Sequence, residues 1–184
     1  MGKISSAISK FLLCKVWGFK IKGNYAFDIP KKVLIAAPHT SAWDLPLGIL
    51  TRNVLRTKIQ FVGKATLFKP PFGWFFRAVG GVPVDRTKNN NFVDGVAEIY
   101  ENRDDFNFCL AVEGTRKKVY KLKTGFYYIA RKANVPVQMI GLDYKNKQII
   151  FSEPFYVSDN MELEMRKVED FFRGIVGKVE AYSF

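Results

Sequence analysis

His39 is the only histidine in the chain, and it follows an apolar run, Val33 to Pro38. Five positions later stands Asp44. In one continuous α-helix the two would lie about 140° apart around the axis and could not meet. With His39 in a loop and Asp44 in the first turn of a following helix, they can. Pro38 disfavours helix at that point, and Thr40 or Ser41 can cap the next one. Asp44 would then accept the Nδ1–H of His39 and stabilise the imidazolium that forms when Nε2 takes a proton. This is the base half of a triad, with a substrate hydroxyl in place of an enzyme serine. The plainer reading is that Ser41-Ala42-Trp43-Asp44 is a capping box and Asp44 only completes a helix start.

A second cluster stands after another apolar run, Phe106 to Val112. Glu113, Gly114, Thr115 and Arg116 bring a carboxylate, a pliant backbone, a hydroxyl and a guanidinium to one turn, followed by Lys117 and Lys118. Such a turn can admit an anionic group, held by Arg116 and by backbone N–H groups. The alternative is a solvated charged turn. Two further cations, Lys64 after Ile59 to Val62 and Arg86 after Val82 to Asp85, also stand just past apolar runs.

These positions require strands that end together. The pattern predicts strands at 33–37, 59–62, 81–84, 106–112, 135–142 and 148–151, the last two joined by the Lys145-Asn146-Lys147 turn. Helices are predicted at 4–19, 43–55, 92–100, 125–132 and 162–179. Residues 67–76 are aromatic and broken by Pro70 and Pro71. Alternation of this kind implies an α/β fold, one domain over 1–184, with a largely parallel sheet flanked by helices. Sites in such sheets gather beyond the carboxyl ends of the strands.

The composition narrows the partners. The formal charge is +12, the hydrophobic share 48% and the aromatic share 15%. That balance favours anionic partners: a lipid surface, phosphorylated molecules or nucleic acid. Cys14 and Cys109 have no metal-like spacing and read as free thiols. No stretch approaches the roughly 20 apolar residues a spanning helix needs. Membrane contact would therefore be peripheral. The segment 4–19 has Ile4, Ala7, Ile8, Phe11, Leu12, Val16 and Phe19 on one side, with Lys15 inside the apolar arc. It suits an interfacial helix with a snorkelling lysine, or equally a helix packed on the core. The aromatic stretch 67–76 suits lipid docking, an acyl channel or plain core packing.

Taken together, the blocks resemble the lysophospholipid acyltransferase family, which includes the bacterial 1-acyl-glycerol-3-phosphate acyltransferases. H-x-x-x-x-D appears as His39-Thr40-Ser41-Ala42-Trp43-Asp44, and the Gly-x-x-hydrophobic-x-x-Arg block as Gly80 to Arg86. The F-P-E-G-T-R block appears as Ala111-Val112-Glu113-Gly114-Thr115-Arg116, and the V-P-V strand as Val135-Pro136-Val137. The resemblance covers about residues 33–145, the motif-bearing core, with residues 1–20 as an N-terminal amphipathic interfacial helix. Pro38 stands where Asn is common, Ala111-Val112 replaces Phe-Pro, and Lys117 replaces Ser.

The resemblance implies a glycerolipid acyltransferase fold. His39 would deprotonate an acceptor hydroxyl, which attacks the thioester of acyl-CoA or acyl carrier protein, with Asp44 orienting His39. Glu113, Gly114, Thr115 and Arg116 would bind the head group, with Arg86 and Lys64 on its phosphate. No metal or redox cofactor is implied. The partners implied are an acyl donor, a lysophospholipid acceptor and an anionic membrane surface, placing the protein peripherally on the cytoplasmic face. Three alternatives stay open: another lyso-lipid acceptor such as an amino-acid lipid, a catalytically dead lipid binder, and a nucleic-acid-binding module. For the last there is no zinc spacing, RNA-recognition signature or concentrated basic helix, so nucleic acid is not the expected partner.

Overall fold

The computed structural model describes residues 2–84 and 92–184. Helix α1 (Lys3–Lys10) continues as a π-helical stretch (Phe11–Val16), ended by Gly18 at φ +76°. A left-handed glycine at that place lets the chain turn back without a Cβ penalty. Then follow β1 (Lys20–Lys22), β2 (Lys31–Ala37), α2 (Asp44–Leu55), β3 (Phe61–Lys64), α3 (Gly73–Ala78) and β4 (Gly81–Val84). The rest is α4 (Phe92–Glu101), β5 (Phe106–Ala111), α5 (Gly125–Ala133), β6 (Val137–Asp143), β7 (Gln148–Phe151) and α6 (Met161–Phe172).

Five strands form one sheet in the order β1-β7-β6-β2-β5, and β3 pairs with β4 beside it. A bridge from Gln60 to Phe108 ties β3 to β5 in parallel. Every pairing is parallel except β6 with β7. The architecture is therefore a single α/β domain with a mostly parallel sheet between helices.

Strand β2 is the centre, and its unbroken apolar run reflects burial on both faces. Val33, Ile35 and Ala37 pack with Phe106, Phe108, Val137 and Met139 under α4, α5 and α6. Leu34 faces the other way, with Leu47, Ile140, Leu142, Ile149 and Phe151, under α2 and Leu13 of the first helix. Pro46 sits in the first turn of α2, where its missing N–H has no intrahelical acceptor to lose.

One expectation is corrected, and other elements went unpredicted. The helix expected over 162–179 stops at Phe172, because Gly174 takes φ +80° and the chain turns back. The stretch 67–76 contains a 3-10 turn (Ala65–Phe68), and α3 begins within it. The short edge strand β1 went unpredicted, since Lys20-Ile21-Lys22 carries too little pattern. The first helix shows most of its apolar arc to the outside: Ile4, Ile8, Phe11, Leu12 and Val16 are exposed, while Phe19, beyond the end of the helix at Val16, is buried in the core. Its inward face carries Ser9, bonded to Asn53, and Leu13. No helix among the described residues is long and apolar enough to cross a membrane.

Candidate active site

The sheet's register brings the candidate residues to one edge. Ala36 of β2 stands beside Ala111 of β5, and Ala37 beside Gly141 of β6. Residues just beyond these strands, His39, Glu113 and Tyr144, therefore emerge together. Strand β3 runs parallel to β5, so Lys64 ends on the same edge. Arg86 lies outside the described residues.

His39 sits in the loop after Pro38, and Asp44 opens α2. Nδ1 of His39 is 2.9 Å from Oδ2 of Asp44. Asp44 is nearly inaccessible, at 3%, while the imidazole keeps 31% of its side chain exposed. Asp44 thus makes the contact to His39 and also a contact of the plainer reading, although Trp43 rather than Ser41 caps α2. Its Oδ2 also accepts the N–H of Ser41 at 3.0 Å, which is the reciprocal half of a capping box. Ser41 Oγ accepts from Trp43 N rather than from Asp44 N. Thr40 caps nothing on α2; its Oγ1 accepts from Val179 N at 3.0 Å.

Glu113 follows β5 and is almost wholly buried, at 1%. Its Oε2 accepts the backbone N–H of His39. Burial pushes its carboxyl above the usual range, and the His39 N–H pulls the other way. Gly114 takes φ +68°, as the turn requires, and Thr115 Oγ1 accepts from Lys117 N at 3.3 Å within that turn. Lys123 N donates to Val112 O at 2.7 Å and closes the loop at its base. Arg116, Lys117, Lys121 and Lys123 project from this loop, exposed. None of them is ion-paired with a described residue.

His39, Asp44 and Arg116 line a cavity of about 460 Å³ between α2 and the sheet. One face of α2 forms its roof, through Leu45, Gly48, Ile49 and Arg52. Ala36, Ile140, Leu142, Ile149 and Phe151 form an apolar floor, with Phe61, Phe76 and Val79 beyond. Asp44 and Arg52, eight positions apart on α2, are separated by roughly 12 Å of helix. At that far end Arg52 donates to Ile59 O and Val79 O, and burial lowers its pKa. Cys109 borders the same space, and burial pushes its thiol up to about 12.

Sequence reasoning missed Tyr144, whose hydroxyl donates to Oδ1 of Asp44 at 2.8 Å. The available signal was a polar residue just past β6, one residue beyond the strand where His39 and Glu113 are two beyond β2 and β5. The fold thus brings together His39, Asp44, Glu113 and Arg116, adds Tyr144, and leaves Thr115 engaged within its own turn.

A general base beside an apolar cavity, with cations at the rim, can activate a hydroxyl against an apolar acyl donor. The chain is similar over its whole fold to the crystal structure of the 1-acyl-sn-glycerophosphate (LPA) acyltransferase PlsC from Thermotoga maritima. The TM-score is 0.58 at 19% identity, covering 96% of this chain and 81% of that one. No curated protein sequence matches significantly. The acyltransferase family model matches residues 20–143, which include His39, Asp44 and the Glu113–Arg116 turn, and on that match the chain belongs to the acyltransferase family.

Proposed function

We propose that the chain transfers a fatty acyl group from acyl-CoA or acyl carrier protein to the hydroxyl of a lysophospholipid, such as 1-acyl-glycerol-3-phosphate, for phospholipid synthesis at a membrane surface. One observation carries this reading. The His39–Asp44 pair stands at the mouth of an apolar cavity large enough for an alkyl chain, beside an exposed cationic loop.

In this mechanism Nε2 of His39 removes the proton from the acceptor hydroxyl as its oxygen bonds to the thioester carbonyl carbon. The tetrahedral intermediate collapses, the carbon–sulfur bond breaks, and the thiolate leaves with the proton from His39. Asp44 holds Nδ1–H throughout and offsets the imidazolium charge. Arg116, with the backbone of Gly114 and Thr115, receives the anionic head group, and Lys64 and Arg86 contribute to its phosphate. Glu113 is buried with its Oε2 engaged by the His39 backbone, so its part in head-group binding is to hold the His39 loop against that turn. The acyl chain lies along α2 in the cavity.

The exposed apolar arc of the first helix, together with Phe72, Trp74 and Phe75 around α3, supports a peripheral membrane contact; the face proposed is the cytoplasmic one.

The test compares the purified chain with His39→Ala, given long-chain acyl-CoA or acyl carrier protein and a panel of lyso-lipids in mixed micelles, with products read by mass spectrometry. Acylated lipid from wild type, reduced on the order of 10²-fold or more in the variant, supports the reading. Equal activity of both removes His39 as the base. A folded wild type that binds liposomes but acylates nothing leaves a lipid-binding protein.

A further inference from the structure

Asp44 accepts three hydrogen bonds, and two of them come from its own motif, His39 and Ser41. The third comes from Tyr144, one residue beyond the end of the family match. Tyr144 is itself anchored. Its ring meets Phe19 edge-on at 5.2 Å, Lys178 Nζ lies 5.8 Å from its centroid, and its N–H donates to Val176 O at 2.7 Å. The segment after α6 then runs on beside the His39 loop. Val179 N donates to Thr40 Oγ1 at 3.0 Å. Gly177 approaches so closely that a Cβ there would stand 2.7 Å from Thr40 Oγ1 and 3.1 Å from Pro38 Cβ. Residues outside the matched block thus hold both the ring partner of His39 and the loop that carries it.

A carboxylate bonded on one oxygen only can rotate and present either oxygen to the imidazole. Tyr144 engages Oδ1, so Oδ2 is left to His39. The groups facing this pair are Glu113 from the end of β5, Arg116 from the next turn, Tyr144 from the end of β6 and Lys178 from the C-terminal segment. Burial, and then the charge of Asp44, push the Tyr144 hydroxyl well above its ordinary value, which keeps it a donor.

We propose that Tyr144 is a positioning residue for acyl transfer, fixing the orientation of His39 through Asp44. This rests on the function proposed above. Because His39 is the only histidine, its ring nitrogens can be followed alone in the 15N-labelled full chain. Tyr144→Phe keeps the ring against Phe19 and removes only the hydroxyl. Its expected result is a loosened Nδ1–H bond to Asp44, read as a shift of the His39 ring nitrogens, with kcat down about tenfold and KM little changed. Incorporation of a fluorinated tyrosine at 144 keeps ring and hydrogen bond should the Phe variant not fold. It is expected to shift the His39 nitrogens while retaining the Nδ1–H tautomer. Unchanged His39 nitrogens in either protein overturn the proposal, even if kcat falls, because loss of packing alone would lower kcat. A His39 response to the Tyr144 variants, beside a wild type that transfers no acyl group, preserves the coupling and overturns the function it serves.

Discussion

The backbone N–H of His39 donates to Oε2 of Glu113, so the carboxylate of one motif holds the histidine of another by its main chain. This joins the ends of β2 and β5 directly at the point of chemistry. It also places a buried carboxyl whose second oxygen, Oε1, has no partner among the described residues.

That environment makes Glu113 a pH-dependent liability. Burial raises its pKa in the folded state, so the folded chain binds the proton more tightly than the unfolded chain does. Stability from this group is then present at low pH and declines as pH rises above the usual carboxylate range. Glu113→Gln keeps an acceptor for the His39 N–H and never ionises. Its melting temperature should exceed wild type at neutral pH, with the gain vanishing in acid. Melting curves that coincide at every pH would remove the argument.

Asp44→Ala strips the acceptor from His39 Nδ1, Ser41 N and Tyr144 OH together. Stability should fall by about 1–3 kcal/mol, because buried donors lose their partner. Acyl transfer should drop toward the level of His39→Ala, and the double variant should be no worse than either, since the pair acts as a unit. Denaturant unfolding and single-turnover rates check the two halves separately. Additive losses in the double variant would show that the residues do not act together.

Gly48 lies on the cavity face of α2, and a Cβ there meets nothing within 4 Å. Gly48→Leu should therefore stabilise the helix by roughly 0.5–1 kcal/mol, through propensity alone. The added side chain fills cavity space, so the preferred acyl chain should shorten. Competition among acyl-CoA donors of graded length measures this. An unchanged chain-length profile in a folded variant would mean the acyl chain lies elsewhere.

Ile8 and Phe11 are 56% and 60% exposed, so replacing both with Ser should leave the melting temperature nearly unchanged. Each large apolar side chain that enters a lipid interface contributes about 1.5–3 kcal/mol. The double variant should thus sediment with anionic liposomes at least 10²-fold more weakly. Wild-type liposome binding in that variant would assign the contact to another surface, with Phe72 and Trp74 next in line.

The apolar runs of β2, β5 and β6 were legible because strands buried on both faces need unbroken hydrophobicity. His39, Asp44 and the Glu113–Arg116 turn were legible as candidates because polar residue types stand at short spacing just past apolar runs. The first helix was legible as amphipathic, yet its orientation was not. An apolar arc can face a core or a lipid, and only packing against α2 shows that Ser9 and Leu13 turn inward.

The sequence by itself determined the α/β class, the pairing of His39 with Asp44 and the strand-end positions of the polar residues. Those follow from periodicity and from contacts a few residues apart. Tertiary structure alone decided that Glu113 grips the His39 backbone, that Tyr144 completes the Asp44 shell, and that Val179 anchors Thr40. These bonds join residues 74, 100 and 139 positions apart. Nothing local encodes them, because hydrogen bonds over such distances exist only once the sheet has set strand order and register.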